Sequence, residues 1–367
     1  MRRRASRTVT IGGFAGIKTV SIGGSCPVVI QTMWKDRLAL SDIEGKAGEG
    51  VVGRIRRLGE MGCGLLRFAV PDIVAAETLG LLAERVSMPL SADIHFDYRI
   101  ALRCLDFPIA KIRINPGNIG SRKRVEEVLS KAAVRAIPIR IGVNAGSLPG
   151  DLRIRVEEGT LDRAEALVSA AERELGIFAE LGFDRALVSL KASSVADTLR
   201  ANRLLAGRTA FPLHIGVTEA GPLVAGVVRN TVALYTLLEE GIGDTIRVSL
   251  SDTMENEVIA AREILGVSGE GESRRGVEII SCPRCGRNSF DTHGFTERWR
   301  DYLYTLDKRV TIAIMGCVVN GPGEARHADL GITGAGNKVL IFHRGKVIRT
   351  ITAENADAAF REELERL

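Results

Sequence analysis

Three thiols and one carboxylate lie close together in the last quarter of this sequence. Cys282-Pro283-Arg284-Cys285-Gly286-Arg287 carries two, and Met315-Gly316-Cys317-Val318-Val319-Asn320-Gly321-Pro322-Gly323-Glu324-Ala325 carries the third thiol and the acid. Two cysteines separated by two residues can grip one metal centre from a single turn, and soft thiolates select zinc or iron–sulfur centres. A structural zinc site closes with four Cys or His ligands, and no second CxxC is present. Glu324, seven residues after Cys317, is the available fourth ligand. A hard oxygen on an otherwise thiolate centre is easily displaced, which suits a cluster that binds substrate better than one that only carries electrons. A zinc knuckle with His293 or His327 as fourth ligand is the competing reading. The glycine-proline turn between Cys317 and Glu324 favours the cluster.

A second set of reactive side chains sits within and at the ends of apolar segments earlier in the chain. These are Arg67; Asp93 and His95; Arg113 and Asn115; Arg140 and Asn144; Lys191 and Ser193; His214, Thr218 and Glu219; and Arg247, Ser249 and Ser251. Any one of them has a structural explanation. An arginine can pair with Asp93, and His214 can be a satisfied core histidine. Together, four arginines and a lysine with too few carboxylates to neutralise them imply an anionic ligand. Planar guanidinium groups match phosphate geometry in bidentate fashion, so a ligand with more than one phosphoryl group fits best.

The elements that must position these residues are short apolar strands alternating with helical segments. Strands are expected at Val28–Met33, Gly64–Ala69, Pro89–Ile94, Ala110–Ile114, Ile137–Val143, Arg185–Leu190, Pro212–Val217 and Asp244–Ser249. They are apolar nearly throughout, as parallel strands buried on both faces must be. Helical spacing falls between them, for example at Ile73–Glu84, Arg124–Val134, Ala164–Leu181 and Leu223–Glu240. This alternation predicts an α/β fold, a (β/α)8 TIM barrel, whose site lies where strands give way to loops. An open doubly wound sheet is disfavoured because no GxGxxG follows a strand. Residues 1–266 form the barrel domain and 267–276 a glycine-rich polar linker. Residues 277–367 form a smaller α+β domain, with strands at Val277–Ile280 and Val310–Met315, a hairpin at Lys338–Phe342 and Lys346–Ile351, and a closing helix at Ala353–Leu367.

Composition narrows the function classes. With 45% hydrophobic and 26% charged residues among 367, the chain is ordinary for a globular protein. A net charge of +5 is modest, and no aromatics interleave with Arg2, Arg3, Arg4 and Arg7. Those arginines are expected to form a solvated, frayed terminus rather than a nucleic-acid arm. No apolar run follows them as in a signal peptide, and no segment suits a membrane span. Six cysteines in a chain this long indicate a reducing, cytoplasmic setting. Cys26, Cys63 and Cys104 lack ligand spacing and are expected to be structural.

Met315 to Ala325 resembles the cluster motif of the 4-hydroxy-3-methylbut-2-enyl diphosphate synthase family of the non-mevalonate (MEP) isoprenoid pathway, and Cys282 to Arg287 resembles that family's first cluster motif. Pro89–Tyr98, Lys111–Asn118, Ile139–Ser147, Pro212–Ala220 and Gly241–Ser249 resemble its strand motifs, so the likeness runs from about Thr8 to about Val347. It implies an oxidoreductase that converts 2-C-methyl-D-erythritol 2,4-cyclodiphosphate to (E)-4-hydroxy-3-methylbut-2-enyl diphosphate. It implies one 4Fe-4S cluster on Cys282, Cys285, Cys317 and Glu324, in a domain of ferredoxin/sulfite-reductase-like type. Arg67, Arg113, Arg140, Arg247, Lys191 and Asn144 would bind the diphosphate, with Asp93, His95, Ser193, His214, Thr218, Ser249 and Asn320 as further contacts. Glu219 would be an acid–base residue. Ferredoxin or flavodoxin would deliver electrons, and a homodimer would share its active sites between subunits. One stretch departs from the family pattern: after Gln31-Thr32-Met33 the chain reads Trp34-Lys35-Asp36-Arg37, where small polar residues are usual, and no site role is assigned there. The alternative is a TIM barrel with a zinc knuckle that binds a phosphate ligand or nucleic acid. A radical enzyme using S-adenosylmethionine would want CxxxCxxC, which is absent.

Overall fold

The computed structural model describes residues 3–115, 119, 121–269 and 276–367. The chain divides into two compact units, Met1–Ser273 and Arg274–Leu367. The linker expected at 267–276 falls largely on 270–275, and the end of the Lys111–Asn118 motif on 116–118; both stretches lie outside the described residues. Where the linker was expected to begin, the helix Met254–Ser268 continues instead, and Gly269 caps it in the left-handed region at φ +69°.

The first unit begins with an antiparallel hairpin, β1 (Val9–Ile11) and β2 (Val20–Ile22), which the sequence reading did not foresee. Eight parallel strands follow: β3 (Val29–Met33), β4 (Cys63–Ala69), β5 (Leu90–Asp93), β6 (Lys111–Ile114), β7 (Ile139–Asn144), β8 (Ala186–Lys191), β9 (His214–Ile215) and β10 (Thr245–Ile246). Their order is β8-β7-β6-β5-β4-β3-β10-β9, and a parallel bridge from Val188 to Leu213 joins the two ends. This is the expected (β/α)8 barrel, each strand lying near its anticipated span. Helices such as Ile73–Ala83, Arg122–Val134, Arg163–Glu180 and Leu223–Glu239 pack outside it. Several are capped by side chains: Asp72 accepts from Ala75 N and Thr253 Oγ1 from Asn256 N.

The hairpin closes one end of the barrel. Val9, Ile11 and Ile22 form one apolar cluster with Leu65 of β4 and Leu187 of β8. Arg3, Arg4 and Arg7 are not frayed, contrary to expectation, while Arg2 lies outside the described residues. Arg3 donates to Asp244 Oδ1 at 3.0 Å and Arg4 to the carbonyl of Phe211 at 2.7 Å, while Arg7 lies over the Phe211 ring. Asp244 is buried, and a buried carboxylate needs cationic partners, so this end of the chain is fastened by charge.

The second unit is a five-stranded sheet: β11 (Val277–Ser281), β12 (Val310–Met315), β13 (Leu330–Ala335), β14 (Lys338–His343) and β15 (Lys346–Ile351), in that order. The first three run parallel and the last two antiparallel. Helices Thr292–Thr305 and Ala356–Arg366 supply Phe295, Trp299 and Phe360 to its core. β13 and the helix Thr292–Thr305 are additions to the sequence reading. Among the described residues no helix is long and apolar enough to cross a membrane.

Candidate active site

Side chains alternate across a strand, and in this barrel the inward set is charged. Arg67 comes from β4, Asp93 from β5, Arg113 from β6, Arg140 and Asn144 from β7, Ser189 and Lys191 from β8. With His95, Thr218, Arg247 and Ser249 they line one cavity of about 210 Å³. Barrel interiors of this kind are ordinarily filled by branched apolar residues; here Leu65 and Leu187 pack against the hairpin, and Val217 lines the cavity among the charged groups.

Asp93 is the carboxylate of this cavity. Arg113 NH1 donates to its Oδ1 at 3.0 Å, and Arg67 Nε lies 3.5 Å from Oδ2. Burial works to raise the Asp93 pKa, but Arg67, the His95 hydrogen bond and Arg113 outweigh it and hold the carboxyl far below its usual range. Arg67 is itself pushed down to about 10, by burial first. Arg113 NH2 donates to the Gly142 carbonyl at 3.1 Å. A Cβ at Gly142 would overlap this guanidinium, so glycine in the middle of β7 lets Arg113 lie flat across the strand.

Arg140 is 1% exposed, and neither Nε nor NH1 has a hydrogen-bond partner among the described residues. Burial, then Arg67 and Arg113, lower its pKa well below the ordinary value. Lys191 Nζ lies 3.0 Å from His214 Nε2, and His214 Nδ1 lies 2.6 Å from Thr245 Oγ1. Burial, reinforced by Lys191 and Arg140, depresses His214 well below 6.5, so the ring is neutral. With Lys191 Nζ donating to Nε2, the ring proton lies on Nδ1, facing Thr245. Lys191 is in turn lowered by burial and by the arginines. A cavity with this surplus of buried cations is preorganised for a multiply charged anion.

The sequence-selected residues mostly converge. His214 lies behind the cavity, supporting Lys191. Ser193 and Glu219 line an adjoining cavity of about 540 Å³ that shares His95, Asn144 and Thr218 with the first. Glu219 is a non-glycine residue in the left-handed region, at φ +53°. Such strain persists only where the surroundings enforce it, and it gathers at functional sites. Asn115 and Ser251 are not among the lining residues of either cavity. The sequence reading missed Met33, Ser189, and the buried Lys111, whose Nζ donates to Gln31 Oε1 at 3.0 Å. Lys111 was detectable: it stands two residues before Arg113 on the same face of β6.

In the second unit the thiols gather at neighbouring strand ends. β11 and β12 are parallel, with Ser281 opposite Ile314, so Cys282 and Cys317 leave the sheet on the same side. Cys282 N donates to Ile314 O at 3.0 Å, and Asn320 Nδ2 lies 3.7 Å from Cys282 Sγ. Asn320, expected among the substrate contacts, thus touches a candidate ligand. Cys282 and Cys317 are buried and Cys285 is exposed. The Asn320 backbone N–H, then that of Val319, and the Arg287 guanidinium lower the Cys317 pKa, favouring thiolate. Arg284, between the paired cysteines, has φ +68° and turns the chain there. Glu324 ends the short π-helical turn Val319–Glu324 and is exposed. Among the described residues no group of three His, Cys, Asp or Glu forms a site for a single metal ion. The soft donor set and the N–H groups aimed at sulfur fit a thiolate-held cluster.

Fold and site together define a barrel enzyme with a preorganised polyanion site, joined to a thiol-bearing α+β domain. The GcpE TIM-barrel domain matches residues 13–262 and the GcpE protein C-terminal domain matches residues 278–366. The chain belongs to the GcpE family, that of the 4-hydroxy-3-methylbut-2-en-1-yl diphosphate synthases, which are oxidoreductases of isoprenoid biosynthesis. A relative in Treponema pallidum (strain Nichols), named 4-hydroxy-3-methylbut-2-en-1-yl diphosphate synthase (flavodoxin), is 50% identical over 100% of this chain and 94% of its own length. Relatives of the same name in Treponema denticola and Thermodesulfovibrio yellowstonii are 49% and 44% identical, covering 98% and 99% of this chain and the same shares of their own lengths. The zinc-knuckle binding protein weighed from sequence is not favoured by these relationships.

Proposed function

We propose that this chain performs the reaction for which its relatives are named. 2-C-Methyl-D-erythritol 2,4-cyclodiphosphate takes up two electrons and two protons. A ring carbon–oxygen bond opens, a hydroxyl leaves as water, and (E)-4-hydroxy-3-methylbut-2-enyl diphosphate is formed. The observation that carries the reading is Arg140: a buried guanidinium whose Nε and NH1 have no partner among the described residues, beside three more arginines and Lys191 in one cavity. Such a site is matched by a diphosphate and by few other metabolite groups.

In this reading Arg67, Arg113, Arg140, Arg247 and Lys191 hold the diphosphate, and Asn144, Thr218 and Ser249 orient the carbon skeleton. Fixing both phosphoryl groups removes orientational freedom before the chemistry begins. His95, beside Asp93 and Arg113, and Ser193 contact the substrate, and His214 keeps Lys191 in place. Glu219 delivers a proton to a leaving oxygen. Cys282, Cys285, Cys317 and Glu324 would hold one 4Fe-4S cluster, which supplies electrons singly when bound. Asn320 would hydrogen-bond to the cysteine sulfur and face the substrate. Residues 1–266 serve as the substrate domain and residues 277–367 as the cluster domain. Flavodoxin, which the relatives' names include, is the proposed donor, and the working unit is a homodimer with active sites shared between subunits.

The test is iron, acid-labile sulfide and zinc analysis of protein purified without oxygen, followed by turnover of the cyclic diphosphate with reduced flavodoxin. Roughly four irons and four sulfides per chain, the content of one cubane cluster, together with product, are expected. One zinc and no sulfide after reconstitution would overturn the redox reading.

A further inference from the structure

The loop Trp34–Arg37, to which the sequence reading gave no role, is anchored to a buried carboxylate behind the anion cavity. Glu257 is 1% exposed and accepts four donors. Thr32 Oγ1 reaches Oε2 at 2.5 Å. Lys35 Nζ at 2.5 Å, Leu250 N at 3.0 Å and Arg247 NH2 at 3.2 Å all reach Oε1. Two cations therefore share one carboxylate oxygen. The loop is seated so that Lys35 stays there. Trp34 stacks on Phe68 with centroids 5.5 Å apart, and Arg54 lies over Trp34 while paired to both oxygens of Glu255. Lys35 Nζ also donates to the Leu250 carbonyl at 3.0 Å.

We propose that Lys35 and Glu257 are positioning residues that set how strongly Arg247 binds the anion. Arg247 lines the cavity, and its Nε has no hydrogen-bond partner among the described residues. Paired with Glu257 alone, Arg247 would be neutralised from behind and would offer a ligand little net charge. With Lys35 on the same oxygen, the trio of Lys35, Glu257 and Arg247 carries one net positive charge, available to the cavity. Glu257 fixes the direction of the guanidinium, and Lys35 offsets the charge that this orientation costs. The inference rests on the diphosphate reading of the cavity.

The test is calorimetric binding of inorganic pyrophosphate to the full chain, with thermal midpoints recorded for every variant. Lys35→Met is expected to weaken binding roughly tenfold, the scale of one charge-assisted contact, and Lys35→Arg to restore it. Glu257→Gln removes the competing charge while keeping the shape, so it is expected to tighten binding. A merely structural role would weaken binding in both variants, and that result would overturn the proposal. In an Arg247→Met background, Lys35→Met should have almost no further effect. An undiminished loss there would also overturn it, whether or not Glu257→Gln folds. If the unsubstituted chain fails to bind pyrophosphate, the diphosphate reading falls as well, and that is visible before any variant is made.

Discussion

Lys191 and His214 face each other at 3.0 Å, Nζ to Nε2, with both side chains buried beneath the anion cavity. Burial and the surrounding arginines lower the lysine well below its ordinary pKa. A bound anion adds the opposite charge and reverses that shift. Pyrophosphate binding should therefore take up protons. Its apparent enthalpy is expected to differ between PIPES and Tris at one pH, and Lys191→Met should abolish most of the difference. Equal enthalpies in the two buffers would remove the proposed proton coupling.

Arg140 stores instability that a ligand relieves. A buried charge without a matching partner is costly, and apolar replacement of buried charged groups is often stabilising, by about 1–4 kcal/mol. Arg140→Met is therefore expected to raise the thermal midpoint by several degrees while losing tenfold or more in pyrophosphate affinity. A midpoint that falls would mean that this arginine is satisfied without ligand.

Two buried groups give the barrel an acid limb. The Asp93 carboxyl is held far below its usual value in the folded state and His214 well below 6.5. A depressed folded-state pKa contributes stability that is present above the unfolded value and lost as pH falls toward the folded one. Stability should therefore decline below about pH 6.5 as His214 takes a proton on unfolding, and more steeply below about pH 4 as Asp93 does. Urea midpoints measured from pH 8 to pH 3 follow this. Asp93→Asn should cost about 3–5 kcal/mol at neutral pH, as removal of one partner of a buried pair does, and flatten the lower limb. An unchanged limb in that variant would place the acid sensitivity elsewhere.

Glu219 combines backbone strain with a position on the adjoining cavity. Glu219→Gln keeps the strain and should lose roughly a hundredfold or more in turnover, the scale of acid–base assistance. Glu219→Gly releases strain of about 1 kcal/mol and should unfold no earlier than the parent, with turnover equally low. Full turnover by the glutamine variant would end the acid–base assignment.

Sharing of active sites between subunits predicts complementation. Cys317→Ala and Arg113→Ala are each expected to be inactive, and mixed dimers of the two should recover part of the parental turnover. No recovery in demonstrably mixed dimers would argue for sites built within single chains.

Much of this was legible before the fold. The eight barrel strands could be read because buried parallel strands are continuous apolar runs, and the cavity residues because each breaks or ends such a run. Lys111 was passed over because it sits earlier in its strand, although its spacing from Arg113 puts both on one face. The hairpin β1–β2 escaped because each strand has three residues, too few to set a period. The docking of Arg3 and Arg4 escaped because their partner, Asp244, is more than two hundred residues away.

By itself the sequence determined the residue types at the site: soft thiolates at ligand spacing, and cations in surplus over carboxylates on alternate positions of apolar strands. These are local properties, carried by spacing and side-chain chemistry. Only the tertiary structure decided which charges are paired. Asp93 is shared among Arg67, Arg113 and His95, Glu257 is shared between Lys35 and Arg247, and Arg140 Nε and NH1 have no partner among the described residues. Pairing depends on distances between atoms far apart in the chain and on the burial that strengthens each interaction. Neither exists until the barrel has closed.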